Sequence, residues 1–132
     1  MKNIYQIGDT KTFQKRIEKT DLAEFELENV HEVYSTFALG RDAEWTCRLF
    51  VLDMKEVHEE GIGTFLNIKH ISPALLGQIV FFEAKIFIVT RNIIECTFTA
   101  KVGERLIAEG QQGQKIVAKE KLSRIFEELK TK

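Results

Sequence analysis

The sequence predicts a single α+β domain built from one long helix and an antiparallel sheet. Residues 36–54 form an apolar stretch of helical length, four strand-like segments follow between residues 62 and 117, and only one of the 132 residues is proline. A chain so poor in proline has few breaks in its regular elements. Since domains average about 150 residues, we expect residues 1–132 to form one domain.

The composition excludes several classes of protein. A net charge of −1, from 19 Lys and Arg against 20 Asp and Glu, argues against a nucleic-acid surface or a basic membrane patch. The longest stretch free of these charged residues, 70–82, is shorter than the roughly 18 apolar residues of a membrane span. The sequence begins without the apolar segment of a secretory signal. Cys47 and Cys96 lie in apolar settings, so we expect buried reduced thiols and a cytoplasmic protein.

The residues before the long helix give weaker patterns. Residues 10–18 alternate loosely between polar and apolar, which predicts a first strand. Thr20 is a candidate N-cap for a short helical turn over residues 20–25, with Asp21 near the positive end of the helix dipole. Residues 26–34 mix acidic and apolar side chains without a clear period, and we interpret them as a loop or lid.

The helix predicted over residues 36–54 carries apolar side chains on nearly every face. A helix of this kind is normally buried on all sides. At about 1.5 Å per residue it spans nearly 30 Å, the width of a small domain. The hydrophilic segment that ends at Gly61 terminates it.

The second half of the chain reads as four strands and a closing helix. The strands are predicted over residues 62–71, 78–90, 93–102 and 105–117, and the amphipathic helix over 119–130. The third strand alternates most clearly, with Ile94, Cys96, Phe98, Ala100 and Val102 on one face. Arg91-Asn92 and Gly103-Glu104 mark tight turns between neighbouring strands.

One antiparallel sheet of five or six strands wrapped around one buried helix is the hot-dog arrangement. Such a sheet has a free edge and a large exposed face. Because hot-dog domains usually cover both by pairing, we expect at least a homodimer.

A carboxylate interrupts the apolar pattern of the long helix. Glu44 in a buried position costs several kcal/mol unless it has a partner. Thr36 and Gly40 precede it at helical spacing on the same side, and a glycine there leaves space for a ligand. The alternative is that Glu44 forms an ion pair with Arg41 or Arg48 on a solvated stripe.

The strand over residues 62–71 holds two further features. His70 is either a structural histidine or part of a site. Gly61 and Gly63, where the strand begins, indicate a bend or bulge, and they also allow a ligand to approach the backbone closely.

Residues 33–47 (VYSTFALGRDAEWTC) and 63–77 (GTFLNIKHISPALLG) resemble the fluoroacetyl-CoA thioesterase family of hot-dog thioesterases. That family carries a Thr, a Glu-Trp pair eight residues later, a Gly-Thr pair, and a His seven residues after the Gly. Thr36, Glu44-Trp45, Gly63-Thr64 and His70 reproduce that spacing here.

The resemblance implies an acyl-CoA thioesterase that needs no metal and no cofactor. Glu44 would act on the thioester carbonyl as nucleophile or general base, Thr36 would hydrogen-bond Glu44, and His70 would assist proton transfer. A backbone N–H near Gly63 would contribute to an oxyanion site, and Gly40, Gly63 and Thr64 would contact the substrate. In a dimer, Gly63 or His70 could serve the Glu44 of the other subunit.

One segment departs from the family pattern. The fluoroacetyl specialists carry two phenylalanines in a lid before the Thr, whereas this chain has Leu27 and Val30, which we expect to line the pocket in their place. The resemblance therefore implies a short- or medium-chain acyl-CoA as substrate rather than fluoroacetyl-CoA.

Two other functions fit parts of the pattern. A hot-dog enoyl-CoA hydratase carries Asp and His five residues apart, as in Asp53…His58 or, with Glu in place of Asp, Glu26…His31. A non-catalytic module that binds acyl-CoA or an acyl carrier would have the same fold. Four cations are candidates for the CoA phosphates: Lys69, Lys85, Arg91 and Arg105.

Overall fold

A computed structural model describes residues 1–25 and 28–132, without the side chains of residues 24–31. The elements follow in chain order: β1 (Thr10–Arg16), a 3₁₀ turn (Lys19–Asp21), β2 (Leu22–Phe25), β3 (Glu28–Tyr34), α1 (Thr36–Met54), β4 (Glu59–His70), β5 (Ile79–Thr90), β6 (Ile93–Val102), β7 (Arg105–Ala118) and α2 (Lys119–Leu129). No helix within these residues is long and apolar enough to span a membrane.

Five of the strands form one antiparallel sheet in the order β1-β5-β6-β7-β4, and α1 packs across its inner face. The core between them contains aliphatic and aromatic side chains from both layers, among them Leu39, Phe50, Phe82 and Phe98. This is the predicted hot-dog architecture. Strands β2 and β3 pair in a separate two-stranded ribbon, and β1 and β4 are the two edges of the main sheet.

Strand β6 follows the alternation predicted for it. Ile94, Cys96, Phe98 and Ala100 are buried and Val102 packs against the core, so the apolar face lies toward α1 as expected. Both predicted turns are present, with Arg91 and Gly103 in the left-handed region at φ of 45° and 57°. Cys47 and Cys96 are buried and free, as the sequence predicts.

A β-bulge in β4 determines which side chains of that strand face the helix. The pairing of β4 with β7 shifts between Gly63 and Phe65, so Thr64 has no direct partner. Before the bulge Gly63 pairs with Gln114, and beyond it His70 pairs with Ala108, two partners on the inner face of β7. Gly63 and His70 are seven residues apart and would face opposite ways in a regular strand. The extra residue places both on the inner face.

Two predictions for the segment before α1 are wrong. The helical turn expected over residues 20–25 is a 3₁₀ turn that ends at Asp21, and Leu22 already begins β2. The segment 26–34, interpreted as a loop or lid, contains strand β3 from Glu28 onward. The strand forms because β3 pairs with β2, and because the Tyr34 backbone N–H donates to the Ala74 carbonyl at 2.8 Å.

Helix α1 has the predicted bounds but is not buried on all sides. Ser35 caps it, with Oγ accepting from the Ala38 backbone N–H at 3.0 Å. Ten of its residues are buried, whereas Phe37 is 85% exposed and Trp45 41%. The apolar pattern therefore includes one stripe that the single chain leaves uncovered.

Candidate active site

A cavity of about 400 Å³ lies between α1 and β4. Its walls come from one face of the helix and the inner face of the strand. The lining residues are Thr36, Phe37, Gly40, Arg41 and Glu44 from α1, with Leu66 and Ile68 from β4. The sequence predicted three of them as site residues, and helical spacing explains why Thr36, Gly40 and Glu44 share one wall.

Gly40 lies at the middle of the cavity. A Cβ on this residue would lie 3.0 Å from Cδ1 of Ile68 and 3.3 Å from Cδ2 of Leu66. The missing side chain therefore lets β4 approach the helix closely. Both contacts are with the ends of flexible side chains, so the space beside Gly40 can also change with a bound molecule.

Glu44 lies at one end of the cavity, half-buried, with its carboxylate against strand β4. Its Oε1 accepts a hydrogen bond from Nε2 of Gln112 at 3.3 Å. A Cβ on Gly63 would lie 2.5 Å from the same oxygen, closer than any real side chain could come. The carboxylate therefore occupies the space that a side chain at position 63 would fill.

Gln112 is a functional candidate that the sequence analysis missed. It is 1% exposed, and its own Oε1 accepts from Nε2 of Gln114, which is 2% exposed, at 3.0 Å. Both residues are in phase with Ala108 and Ile116 on the inner face of β7. Two glutamines at inward positions of a strand were the available signal, because buried amides need partners.

The alternative that Glu44 is an ion-paired surface residue is wrong in this structure. Arg48 donates to Glu60 and to the carbonyl of Gly61. Arg41 donates from Nη2 to Asp21 at 2.8 Å and from Nε to Asp42 at 3.1 Å. Both arginines are thus directed to other acceptors, and Glu44 has an amide as its partner.

Arg41 belongs to a buried polar network beside the cavity. Asp42 is 5% exposed and also accepts a short hydrogen bond from the Tyr34 hydroxyl. Burial and the neighbouring Asp42 raise the pKa of Tyr34, and hydrogen bonds to Asp42 and Asp21 raise the pKa of Arg41. Burial alone would raise the pKa of Asp21, but hydrogen bonds from Arg41 and from the Glu18 backbone keep that pKa below its usual value. The network therefore stabilises the charged forms of Asp21 and Arg41 and the neutral form of Tyr34.

Thr36, at the opposite end of the cavity, makes a polar contact with His70, which does not line the cavity. Oγ1 of Thr36 lies 3.0 Å from Nδ1 of His70. The expectation that Thr36 hydrogen-bonds Glu44 is wrong: eight helical residues separate them by about 12 Å along the axis. Within the chain, Thr36 is the partner of His70 instead.

The imidazole of His70 is mainly buried. Burial lowers the pKa of His70, opposed by contact with the Ser72 backbone. His70 is therefore neutral at neutral pH. Its Nε2 is buried and lacks a hydrogen-bond partner among the residues that the structure describes. A buried ring nitrogen without a partner is uncommon in folded proteins, so His70 calls for an explanation beyond packing.

The remaining predicted site residues lie elsewhere. Oγ1 of Thr64 lies near Gly113 together with the Phe65 ring, in the bulge, and Thr64 does not line the cavity. Leu27 lies outside the described residues, and only the backbone of Val30 is described.

The Asp–His spacing of a hot-dog enoyl-CoA hydratase has no structural support at Asp53. Its carboxylate accepts hydrogen bonds from the Tyr5 hydroxyl and from Nζ of Lys11. Asp53 therefore has a structural role near the end of α1. Glu26 is outside the described part of the chain. Across residues 1–25 and 28–132, no cluster of three His, Cys, Asp or Glu is arranged to hold a metal ion.

Solved structures share this architecture over nearly the whole chain. A hypothetical protein of Thermus thermophilus, described as a thioesterase superfamily member, is 29% identical, with a TM-score of 0.89 and coverage of 96% of this chain and 93% of that one. A point mutant of the fluoroacetyl-CoA-specific thioesterase FlK is 19% identical, with a TM-score of 0.86 and coverage of 96% and 98%. A hot-dog-like protein from Thermanaerovibrio acidaminovorans is 19% identical, with a TM-score of 0.85 and coverage of 94% and 93%.

Other FlK structures contain ligands. One FlK mutant is in complex with fluoroacetate and CoA, and another with acetyl-CoA. No curated protein matches the chain. The fluoroacetyl-CoA-specific thioesterase family matches residues 17–120, well over half of the sequence. The chain belongs to this family of hot-dog thioesterases.

Proposed function

We propose that this enzyme hydrolyses short- or medium-chain acyl-CoA thioesters, with Glu44 as the reacting carboxylate. One observation carries the proposal: at one end of a largely apolar cavity lies a carboxylate that has no cationic partner among the residues that the structure describes. A charge in such a place is costly to the fold, so it calls for a functional reason. Membership in the thioesterase family supplies the type of reaction.

The free oxygen of Glu44 has two ways to cleave the thioester. As a nucleophile it bonds to the carbonyl carbon, the C–S bond breaks, and CoA leaves as a thiolate that takes a proton from solvent; water then hydrolyses the resulting anhydride and restores the carboxylate. As a general base it removes a proton from a water molecule that attacks the same carbon. Both routes release the free acid and CoA, and neither needs a cofactor.

The Thr36–His70 pair supplies a second polar point about one cavity length from Glu44. Its contact at 3.0 Å orients the ring of His70. Because the pair lies so far from the Glu44 of its own chain, its role would be at the Glu44 of a second copy, where a neutral imidazole can stabilise charge that develops on the substrate by donating a hydrogen bond. The exposed backbone of Gly63, against Glu44, is the candidate for the oxyanion contact.

The cavity favours a compact acyl group. Leu66, Ile68 and Phe37 offer apolar contacts, and about 400 Å³ is at the lower end of the volumes of small-molecule sites. The FlK complexes with acetyl-CoA and with fluoroacetate and CoA support CoA esters as the substrate class. We propose a general acyl-CoA rather than fluoroacetyl-CoA, because Leu27 and Val30 stand where that specialist carries phenylalanines.

We also propose that the enzyme is a cytoplasmic homodimer. Strand β4 is a sheet edge that borders the cavity, and Phe37, Trp45 and Leu66 are exposed beside it. A second copy would cover this apolar surface and the unpaired edge. The two free cysteines fit a reducing compartment.

Release of free CoA thiol from a panel of acyl-CoA esters tests the function. The panel contains acetyl-, fluoroacetyl-, butyryl-, hexanoyl-, decanoyl- and crotonyl-CoA. We expect turnover of the shorter esters, its loss in Glu44→Gln, and wild-type turnover in the exposed control Glu104→Gln. Absence of hydrolysis across the panel, or full activity of Glu44→Gln, would contradict the proposal. Hydration of crotonyl-CoA without thiol release would indicate the hydratase instead.

A further inference from the structure

We propose that Gln112, anchored by Gln114, is a positioning residue that selects which oxygen of Glu44 reacts. The inference rests on the proposed function, since it concerns the same carboxylate. It begins from two buried amides for which the packing of the core offers no reason. An aliphatic side chain at either position would fill the same space without a polar group to satisfy.

The hydrogen bonds run in one direction only. Nε2 of Gln114 donates to Oε1 of Gln112 at 3.0 Å, and Nε2 of Gln112 donates to Oε1 of Glu44 at 3.3 Å. Turning the Gln112 amide around would place its oxygen against the carboxylate and its N–H₂ against the N–H₂ of Gln114. A carboxylate can only accept, so the Gln112 amide presents its N–H₂ to Glu44, and its remaining oxygen is then satisfied by the N–H₂ of Gln114.

The two amides are buried more deeply than the carboxylate that Gln112 contacts. Gln112 and Gln114 are 1% and 2% exposed and lie on β7, which pairs with β6 on one side and β4 on the other. Glu44 itself is half-buried at the edge of the cavity. The sheet thus supplies a fixed donor to a side chain that would otherwise have several rotamers.

Oε1 of Glu44 accepts from the Gln112 amide and lies in the space that a side chain at Gly63 would fill. Oε2 makes no hydrogen bond within the described residues. The amide therefore directs one oxygen to the sheet and leaves the other for the substrate carbonyl or the attacking water. A correctly placed reacting atom contributes to kcat rather than to substrate binding.

Steady-state kinetics and crystal structures of Gln112→Met test the inference. Methionine keeps the approximate volume and removes the donor. We expect kcat to fall about 10- to 100-fold, the effect of losing one hydrogen bond to a charged group, with KM for acetyl-CoA changed less than about twofold. In the Glu44→Gln background the same substitution should change the residual rate less than about twofold, because the group it positions is already removed.

A structural role gives a different pattern. If Gln112 only supports the fold, Gln112→Met lowers the unfolding temperature, and its effect on rate is the same with and without Glu44. The matched variant Thr97→Val, on the neighbouring strand β6, should leave kcat unchanged. In the crystal, Gln112→Met should release the Glu44 carboxylate from Gly63; an unmoved carboxylate overturns the inference whether or not any ester is hydrolysed. Full kcat in Gln112→Met with an inactive Glu44→Gln overturns the inference alone, whereas an inactive wild type contradicts the proposed function.

Discussion

Two carboxylates on α1, Asp42 and Glu44, are separated by a single residue and have opposite environments. Asp42 is 5% exposed and accepts from Tyr34 and Arg41, and Arg41 is itself held by Asp21. Glu44 has one amide partner and faces a cavity. A fully paired charge stabilises a fold, whereas a charge with a free oxygen can react. Arg41, which could form an ion pair with Glu44, is retained by Asp21 and Asp42, so the structural network keeps this arginine away from the site.

Replacing each carboxylate by the corresponding amide should have the largest effects and should distinguish the structural role of Asp42 from the catalytic role proposed for Glu44. Glu44→Gln should reduce kcat about 10³-fold, the usual scale for a group that transfers protons or attacks, and leave the unfolding temperature within about 2 °C. Asp42→Asn should cost about 2 kcal/mol of unfolding free energy, with kcat changed less than about threefold. The cost is reduced by the exposure of Arg41, which is half in solvent. Calorimetry and thiol release on both variants check the prediction, and it is contradicted if the two show the same pattern.

Gly63→Ala should displace the carboxylate of Glu44 from its position in the site. The new Cβ would lie 2.5 Å from Oε1, so the side chain must leave its position beside Gln112. We expect kcat to fall about 10- to 100-fold while the Asp42 network and its contribution to stability remain intact. Turnover of acetyl-CoA and a denaturant titration measure the two effects. An unchanged kcat would show that the contact with Gly63 has no part in the reaction.

Gly40→Ala is the matched glycine substitution on the helical wall of the cavity, and its effect should be smaller. Its Cβ meets only the flexible ends of Ile68 and Leu66. We expect a few-fold rise in KM for hexanoyl-CoA relative to acetyl-CoA, and up to about 1 kcal/mol of added stability from the better helix former. The ratio of kcat/KM for the two esters is the measurement. An equal change for both would place the acyl group elsewhere.

A feature of this site could be predicted from the sequence when it depends on residues close together in the chain, and could not when it depends on contacts between distant segments. Helical spacing is local, so the shared wall of Thr36, Gly40 and Glu44 could be predicted. Gln112 could not, because its meaning depends on the register of β7 against β4 and α1. Strand β3 was missed for the same reason, since its pairing with β2 and the bond from Tyr34 to Ala74 are not encoded in a local period. Apolar patterning also cannot separate a core position such as Leu39 from an uncovered one such as Phe37.

The smallest expected effect is the pH dependence of stability that arises from His70. Burial lowers the pKa of His70, so the unfolded chain binds a proton there at pH values where the folded protein does not. Stability should therefore rise with pH up to about 6.5, the ordinary pKa of histidine, and be flat above it. Urea midpoints at pH 5 and pH 7 should differ less in His70→Gln than in wild type or in His58→Gln, an exposed control. Equal pH dependence in all three would show that folding does not lower the pKa of His70.

Because of the bulge at Thr64, the number of residues between Gly63 and His70 is itself a requirement of the active site. An odd number of steps separates Gly63 from His70, and side chains of an ideal strand change sides at every step. Thr64 is not paired in the ladder, so it adds one residue without a change of side, and Gly63 and His70 lie on the same face. Inserting one residue between Phe65 and His70, with the bulge in place, would keep every residue of the Thr, Glu, Gly and His pattern in the sequence, yet it would turn Gly63 and His70 to opposite faces of the sheet. In this fold the identity of the site residues is therefore insufficient without the count of residues between them.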